Sequence, residues 1–323
     1  MCQSAEIKKM RITRSSSIRK SNNMQFRPLP FYDKSCFLIE PNELKSRGIV
    51  GKPNDAEITF QLTIDQADYV AMDRDKVNII LRFCHIDSHL SEQDDNFPPE
   101  ISITVNGSPV ILAPAISNPN RPNVPPKRPG QHVDITKLCK ICPLVTNKVN
   151  VRWFVDPTDK HRAYATTIII GEKVTPEELL NRIKERGYSD PENTKRLISD
   201  SDSEVATTNL QYSLMCPLGK MKMMSPCKST KCSHVLCFDA FIYLQMNEKK
   251  ATWICPICYK PAYYPDLIID GFFMDIIEKT ESNVTEVALN LDGTWSPVLK
   301  MEQQSTTKNP PPEIITISSD EDD

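Results

Sequence analysis

Between residues 231 and 258 the chain reads KCSHVLCFDAFIYLQMNEKKATWICPIC. This is Cys232-x-His234-x2-Cys237, a spacer, and Cys255-x2-Cys258, with Cys216 upstream in SLMCPLGK. These six metal-type ligands exceed one tetrahedral zinc and fall short of two. On a cross-braced two-zinc template, ligand pairs one and three share a metal, as do pairs two and four. Pair one falls on Cys216 and Gly219, pair two on Cys232 and His234, pair three on Cys237 and Ala240, and pair four on Cys255 and Cys258. The second site is complete, so one structural Zn2+ is expected on Cys232, His234, Cys255 and Cys258. The first site keeps two thiols, and that corner must be held by packing and hydrogen bonds. Cys227 lies off the template and reads as a core or surface thiol. Ordinary buried cysteines are the competing reading, but Cys-x-His beside Cys-x2-Cys at this spacing argues against it. A nucleic-acid-binding finger is another, but the spacer FDAFIYLQMNEKK reads as an amphipathic helix with acids, not a basic recognition helix.

Several elements must position this cluster. Thr175-Pro176-Glu177-Glu178 reads as a capping box with proline at the first helical position, and Gly187 ends that helix. Asp190-Pro191 opens a second helix, PENTKRLIS. Upstream, residues 27–170 read as β. Ile58, Phe60, Leu62 and Ile64 alternate in AEITFQLTI; Val77, Ile79, Leu81 and Phe83 in VNIILRFCH; Val149, Val151, Trp153 and Val155 in VNVRWFV. ISITVNG closes on an Asn106-Gly107 turn. Period-two alternation between turn signals predicts half-buried strands in a sandwich. The prolines of residues 114–130 exclude a central strand there. Cys139-x2-Cys142, with His132 nearby, lacks a matching second pair and reads as half-buried thiols.

The chain of 323 residues has room for two domains and tails. Its 9 Gly against 26 Pro argue against a glycine-looped nucleotide enzyme. Eleven cysteines, an odd number concentrated beside a histidine, fit metal binding in a reducing compartment better than a disulfide framework. No apolar run approaches the roughly 18 residues that span a bilayer, so no membrane role and an intracellular, soluble protein are expected. The net charge of -3 hides a basic, serine-rich start and an acidic end, SSDEDD. Five segments are expected: a disordered basic tail (1–26), a β-rich domain with its helices (27–205), the cysteine module (206–280), an extension containing Trp295 (281–298) and a disordered acidic tail (299–323).

SLMCPLGKM, the cysteine stretch and LIIDGFFMDII together resemble the SP-RING module of the PIAS/Siz family of SUMO-protein ligases. RPLPFYDKSCFLIEP, LRFC, DNFPPEISITVNGSPV, PPKRPG and DSEVATTNLQYSLMCP resemble that family's PINIT domain and its junction with the finger, with HVDIT (132–136) at the eponymous motif. The resemblance implies an α+β chain: a β-sandwich-like PINIT domain, a small RING-like finger and a short extension. It implies a SUMO-protein transferase without a covalent intermediate, one zinc on the same four ligands, and a nuclear transcriptional coregulator. Partners would be the SUMO-conjugating enzyme, SUMO and nuclear substrates such as transcription factors. By analogy with RING folds, Leu218 and Pro256 would contact the conjugating enzyme, with Trp253 either joining them or orienting its loop. Ile314, Ile315 and Ile317, followed by Asp320 and Glu321, would form a SUMO-interaction strand. Phosphorylation of Ser318 or Ser319 would add charge there. Animal members usually begin with a DNA-binding SAP module; residues 1–26 do not match one, so DNA binding is not carried over. Two other readings are a SUMO-binding scaffold without enzymatic activity and a RING-type ubiquitin ligase.

Overall fold

The computed structural model describes residues 24–117, 119, 126–156, 159–201, 210–290 and 293–298. The expectations for the basic start up to residue 23 and for Ile314, Ile315, Ile317, Asp320 and Glu321 lie outside these residues. The chain divides into two compact units at Thr175/Pro176.

In the first unit, two four-stranded antiparallel sheets share one hydrophobic core. One sheet runs in the order Tyr32–Leu44, Tyr164–Lys173, Val77–His85, Val133–Asp134. The other runs Pro53–Phe60, Asn147–Phe154, Ser102–Val105, Ser108–Pro109. Between them lie Ile79, Leu81, Phe83, Ile168 and Ile170 from the first sheet and Ile103, Val149, Val151 and Trp153 from the second. The sandwich expected from alternation is present. Asn147–Phe154 behaves as a half-buried strand, with Lys148, Asn150 and Arg152 facing out. The Asn106-Gly107 turn has positive φ at both residues (50° and 86°), the pair required to reverse a tight hairpin.

Two local expectations are corrected. Val77–His85 is buried on both faces up to Cys84, not half-buried. The second face carries Asn78, Ile80, Arg82 and Cys84, and Arg82 explains how a charge is accommodated there. Its guanidinium makes a paired contact with Asp95 (2.8 and 3.1 Å), donates to the Arg27 carbonyl and lies over the Phe26 ring. The alternation through Ile64 also ends early. The strand stops at Phe60, and Thr63 caps helix α1 (Ile64–Met72) through a reciprocal bond with Gln66. Thr-x-x-Gln is the signal that overrides period two at that point, and Ile64 is 67% exposed.

The second unit starts with the two upstream helices, α2 (Pro176–Glu185) and α3 (Pro191–Ser201). Gly187, at φ 89°, turns the chain out of α2. The Asp190 carboxylate accepts from the Glu192 amide at the start of α3. The sequence boundary at 205 grouped these helices with the β-rich domain, whereas the structure packs them on the cysteine module. Helix α2 lies on α4 (Ala240–Lys249) and α3 on α5 (Gly271–Lys279). Tyr188–Ser189, between the helices, pairs in parallel with Leu267–Asp270 as the edge of a sheet continued by Pro226–Ser229 and Phe238–Asp239. A three-stranded sheet of Leu210–Ser213, Glu286–Leu289 and Trp295–Pro297 completes the unit. Among the described residues, no helix is long and apolar enough to cross a membrane.

Candidate metal centre

Two turns of the same shape frame the finger. In CPICYK, the Cys255 amide donates to the Lys260 carbonyl (2.9 Å) and the Tyr259 amide to the Cys255 carbonyl (3.0 Å). In CPLGKM, the Cys216 amide donates to Met221 (2.8 Å) and the Lys220 amide to Cys216 (2.9 Å). Tyr259 and Lys220 occupy the same left-handed position, at φ 60° and 53°. Each turn is thus the backbone of a zinc knuckle. The sequence equips only one of them with a second cysteine.

The equipped knuckle carries Cys255 and Cys258 to the loop before the strand Phe238–Asp239, which supplies Cys232 and His234. The four ligand atoms lie within 4.8 Å of one another. Cys232 Sγ and Cys258 Sγ are 3.7 Å apart, and His234 Nε2 is 3.3 Å from Cys255 Sγ. A zinc tetrahedron with ordinary bond lengths has S–S edges of about 3.8 Å and N–S edges of about 3.5 Å, so the cluster fits one ion. Nδ1 of His234 is 2.8 Å from the Leu236 carbonyl, which fixes the tautomer that leaves Nε2 free to ligate. Burial holds His234 below its ordinary pKa, favouring the neutral ligand form. Burial, followed by the neighbouring Cys255 and Cys258 sulfurs, pushes the Cys232 thiol up to about 12. Cys258 moves the other way: burial is outweighed by the Lys260 amide and the adjacent thiols. Crowded sulfurs that resist joint deprotonation are what a divalent cation stabilises. With four protein ligands the site is closed, as in structural zinc centres.

The other corner contains Cys216 and Cys237, both buried, and no ligand set gathers there among the described residues. Burial pushes the Cys237 thiol well above its ordinary value, as expected of a neutral core thiol. Gly219 sits against helix α4, where an added Cβ would stand 2.4 Å from Ile242 Cδ1. The hydrogen bonds of this corner converge on Asp239, a residue outside the Cys/His ligand pattern of the sequence. Its carboxylate accepts from four backbone amides, those of Met224, Ser225, Phe241 and Ile242 (2.8–3.1 Å). The legible part of this signal is an aspartate directly before an apolar helix. Cys227 lies fully buried in the sheet.

Of the three residues read as contacts for a conjugating enzyme, Leu218 and Pro256 lie half-buried on the two knuckles. Trp253 is placed in the core: it is 9% exposed and stands edge-on to Tyr243 at 6.0 Å. Its backbone is left-handed (φ 49°), a costly state for a bulky residue. Asn247 holds it there, accepting from the Thr252 and Trp253 amides, while the Trp253 carbonyl accepts from Ala262. Cys139, Cys142 and His132 form no metal cluster among the described residues. Phe272, Phe273 and Ile276 are core residues of α5.

The PINIT domain profile matches residues 23–172, and the MIZ/SP-RING zinc finger profile matches residues 212–261. The chain is 37% identical over 303 residues to the E3 SUMO-protein ligase PIAS2 of Rattus norvegicus, covering 89% of this chain and 52% of the relative. It is 36% identical to the Homo sapiens E3 SUMO-protein ligase PIAS3, covering 90% and 47%. The chain spans about half the length of these curated relatives. In fold it is similar to the S. cerevisiae SUMO E3 ligases SIZ1 (TM-score 0.66, 23% identity, 88% of this chain and 99% of that one) and SIZ2 (TM-score 0.62, 24% identity, 83% and 98%). A PINIT domain followed by an SP-RING finger that gathers a single four-ligand cluster is the arrangement this chain shares with the PIAS proteins it resembles in sequence and the Siz proteins it resembles in fold.

Proposed function

We propose that this chain is a SUMO-protein ligase that works by positioning. The observation that carries the reading is the finger itself: two knuckles of one shape, one joined to a four-ligand set that fits one metal ion and the other held by packing and hydrogen bonds, in a chain whose relatives are named E3 SUMO-protein ligases. Such a module needs no nucleophile. The thioester between SUMO and its conjugating enzyme already stores the reactivity. A ligase gains rate by holding that enzyme, its SUMO and a target lysine in reactive conformers. When bound, zinc supplies structural closure. The knuckles present Leu218 and Pro256 as two apolar walls for the conjugating enzyme. Trp253 acts behind them by fixing the approach to the second knuckle.

The acidic tail, through Ile314, Ile315, Ile317, Asp320 and Glu321, would add a strand to SUMO and meet its basic rim. Nuclear residence, transcription-factor substrates and a coregulatory role extend this reading from the family resemblance. The alternatives of a SUMO-binding scaffold without activity and of a ubiquitin ligase predict different outcomes in one assay. Conjugating enzyme charged with SUMO, or with ubiquitin, is mixed with the purified chain and discharge to lysine is timed. Faster discharge of SUMO, lost with Cys255→Ser, is expected. An unchanged rate favours the scaffold, and faster discharge of ubiquitin alone favours the third reading.

A further inference from the structure

We propose that Asp239 is a positioning residue that does the work of the missing second metal, gripping both ends of the loop that carries Leu218. The geometry stands by itself; its consequence for catalysis rests on the ligase reading above. The loop is a closed hairpin: the Met223 amide donates to the Leu214 carbonyl (3.0 Å), and Met215 bridges to Lys222. On the incoming leg, Cys216 Sγ accepts from the Asp239 backbone amide (3.2 Å). On the outgoing leg, Oδ2 of Asp239 accepts from the Met224 (2.8 Å) and Ser225 (3.0 Å) amides. Oδ1 has a separate task, accepting from Phe241 (3.0 Å) and Ile242 (3.1 Å) at the start of α4.

In a two-zinc finger a metal would join this loop to ligands at positions 237 and 240. Asp239 lies between those positions and makes the same connection with hydrogen bonds. Bonds to an ionised acceptor are among the stronger ones, and the helix N-terminus favours the negative charge. Asp239 is only 4% exposed, so water competes little for its oxygens. The two oxygens separate the roles: one caps a helix, and the other fixes the loop.

Asp239→Ser tests this separation, because serine can cap α4 but is too short to reach Met224 and Ser225. The zinc-loaded full chain is compared with the variant by metal content, amide hydrogen exchange, and discharge of SUMO-charged conjugating enzyme over a concentration series. The variant should keep one zinc and the slow exchange of Phe241 and Ile242, while Met224 and Ser225 exchange faster. KM for the charged enzyme should rise about tenfold, with kcat changing less than about twofold, as loss of charge-assisted loop anchoring predicts. Asp239→Glu, which retains both oxygens, should recover part of the KM. An unchanged KM overturns the proposal, and so does a parallel loss of zinc, α4 protection and kcat. If the wild-type chain accelerates no discharge, the ligase reading fails, and unchanged exchange at Met224 and Ser225 in Asp239→Ser would separately sink the grip on the loop.

Discussion

At the residue scale, the two corners of the finger should respond oppositely to loss of a thiol. Cys232, Cys255 and Cys258 with His234 form the four-ligand cluster. Structural zinc in small fingers contributes on the order of 10 kcal/mol of coupled binding and folding energy. Cys232→Ser, His234→Ala or Cys258→Ser should therefore release zinc and unfold the finger. Cys237, 3% exposed, touches no metal cluster, and its thiol donates only a weak bond to the Val235 carbonyl (3.8 Å). Cys237→Ala should retain one zinc and cost about 1–2 kcal/mol through lost packing. Metal analysis with urea denaturation distinguishes them, and two zincs in the wild type would contradict the assignment of ligand pairs. This asymmetry was legible because ligand spacing is a short-range property of the chain. The second task of Asp239 was not, because it acts through the Met224 and Ser225 amides that the fold brings to its carboxylate. A sequence shows that such residues cap helices; it does not show which remote amides reach them.

At the element scale, a buried ion pair ties α3 to the finger. Lys228 Nζ, on Pro226–Ser229, is 2.7 Å from Asp270 Oδ2, with side chains 8% and 0% exposed. Thr194 of α3 donates to the same oxygen (2.6 Å) and accepts from Lys228 (2.9 Å). Asp270 Oδ1 caps α5 through the Phe273 amide (3.0 Å). Removing one partner strands the other charge in the core, so Lys228→Met should destabilise the second unit by about 3–5 kcal/mol. Asp270→Asn keeps an acceptor for the cap and removes the stranded charge. The double variant should then be more stable than the sum of the singles by about 1–3 kcal/mol, read by urea denaturation in a double-mutant cycle. Strict additivity would show that the pair is not coupled. The helices themselves were legible from Pro at their first positions and Gly187 after α2. Their attachment to the finger was not, because Lys228, Asp270 and Thr194 are far apart in sequence and each reads as an ordinary surface residue. The correction at Ile64 has a similar cause: period-two alternation ran on by chance into a helix start, and only the Thr63–Gln66 pair marks the change.

At the scale of the whole molecule, the two units rest on different sources of stability. The first has a sandwich core of its own: Trp153, Phe83 and Ile79 are each no more than 1% exposed, and no metal cluster gathers in it among the described residues. The second has helices and sheets whose loops between Ser229 and Phe238, and between Trp253 and Ala262, converge on the four zinc ligands. Zinc that binds the folded unit and not the unfolded one stabilises that unit alone by mass action. Titration of the full chain with a strong chelator should accordingly speed amide exchange in Ala240–Lys249 and Leu267–Asp270, while Val77–His85 and Tyr164–Lys173 stay protected. Trp153→Ala reverses the pattern. Emptying the first core of its largest side chain should cost about 3–5 kcal/mol there, with zinc content and exchange in Ala240–Lys249 unchanged. Simultaneous loss of protection in both units under chelation would show that the metal supports one cooperative fold rather than one of two.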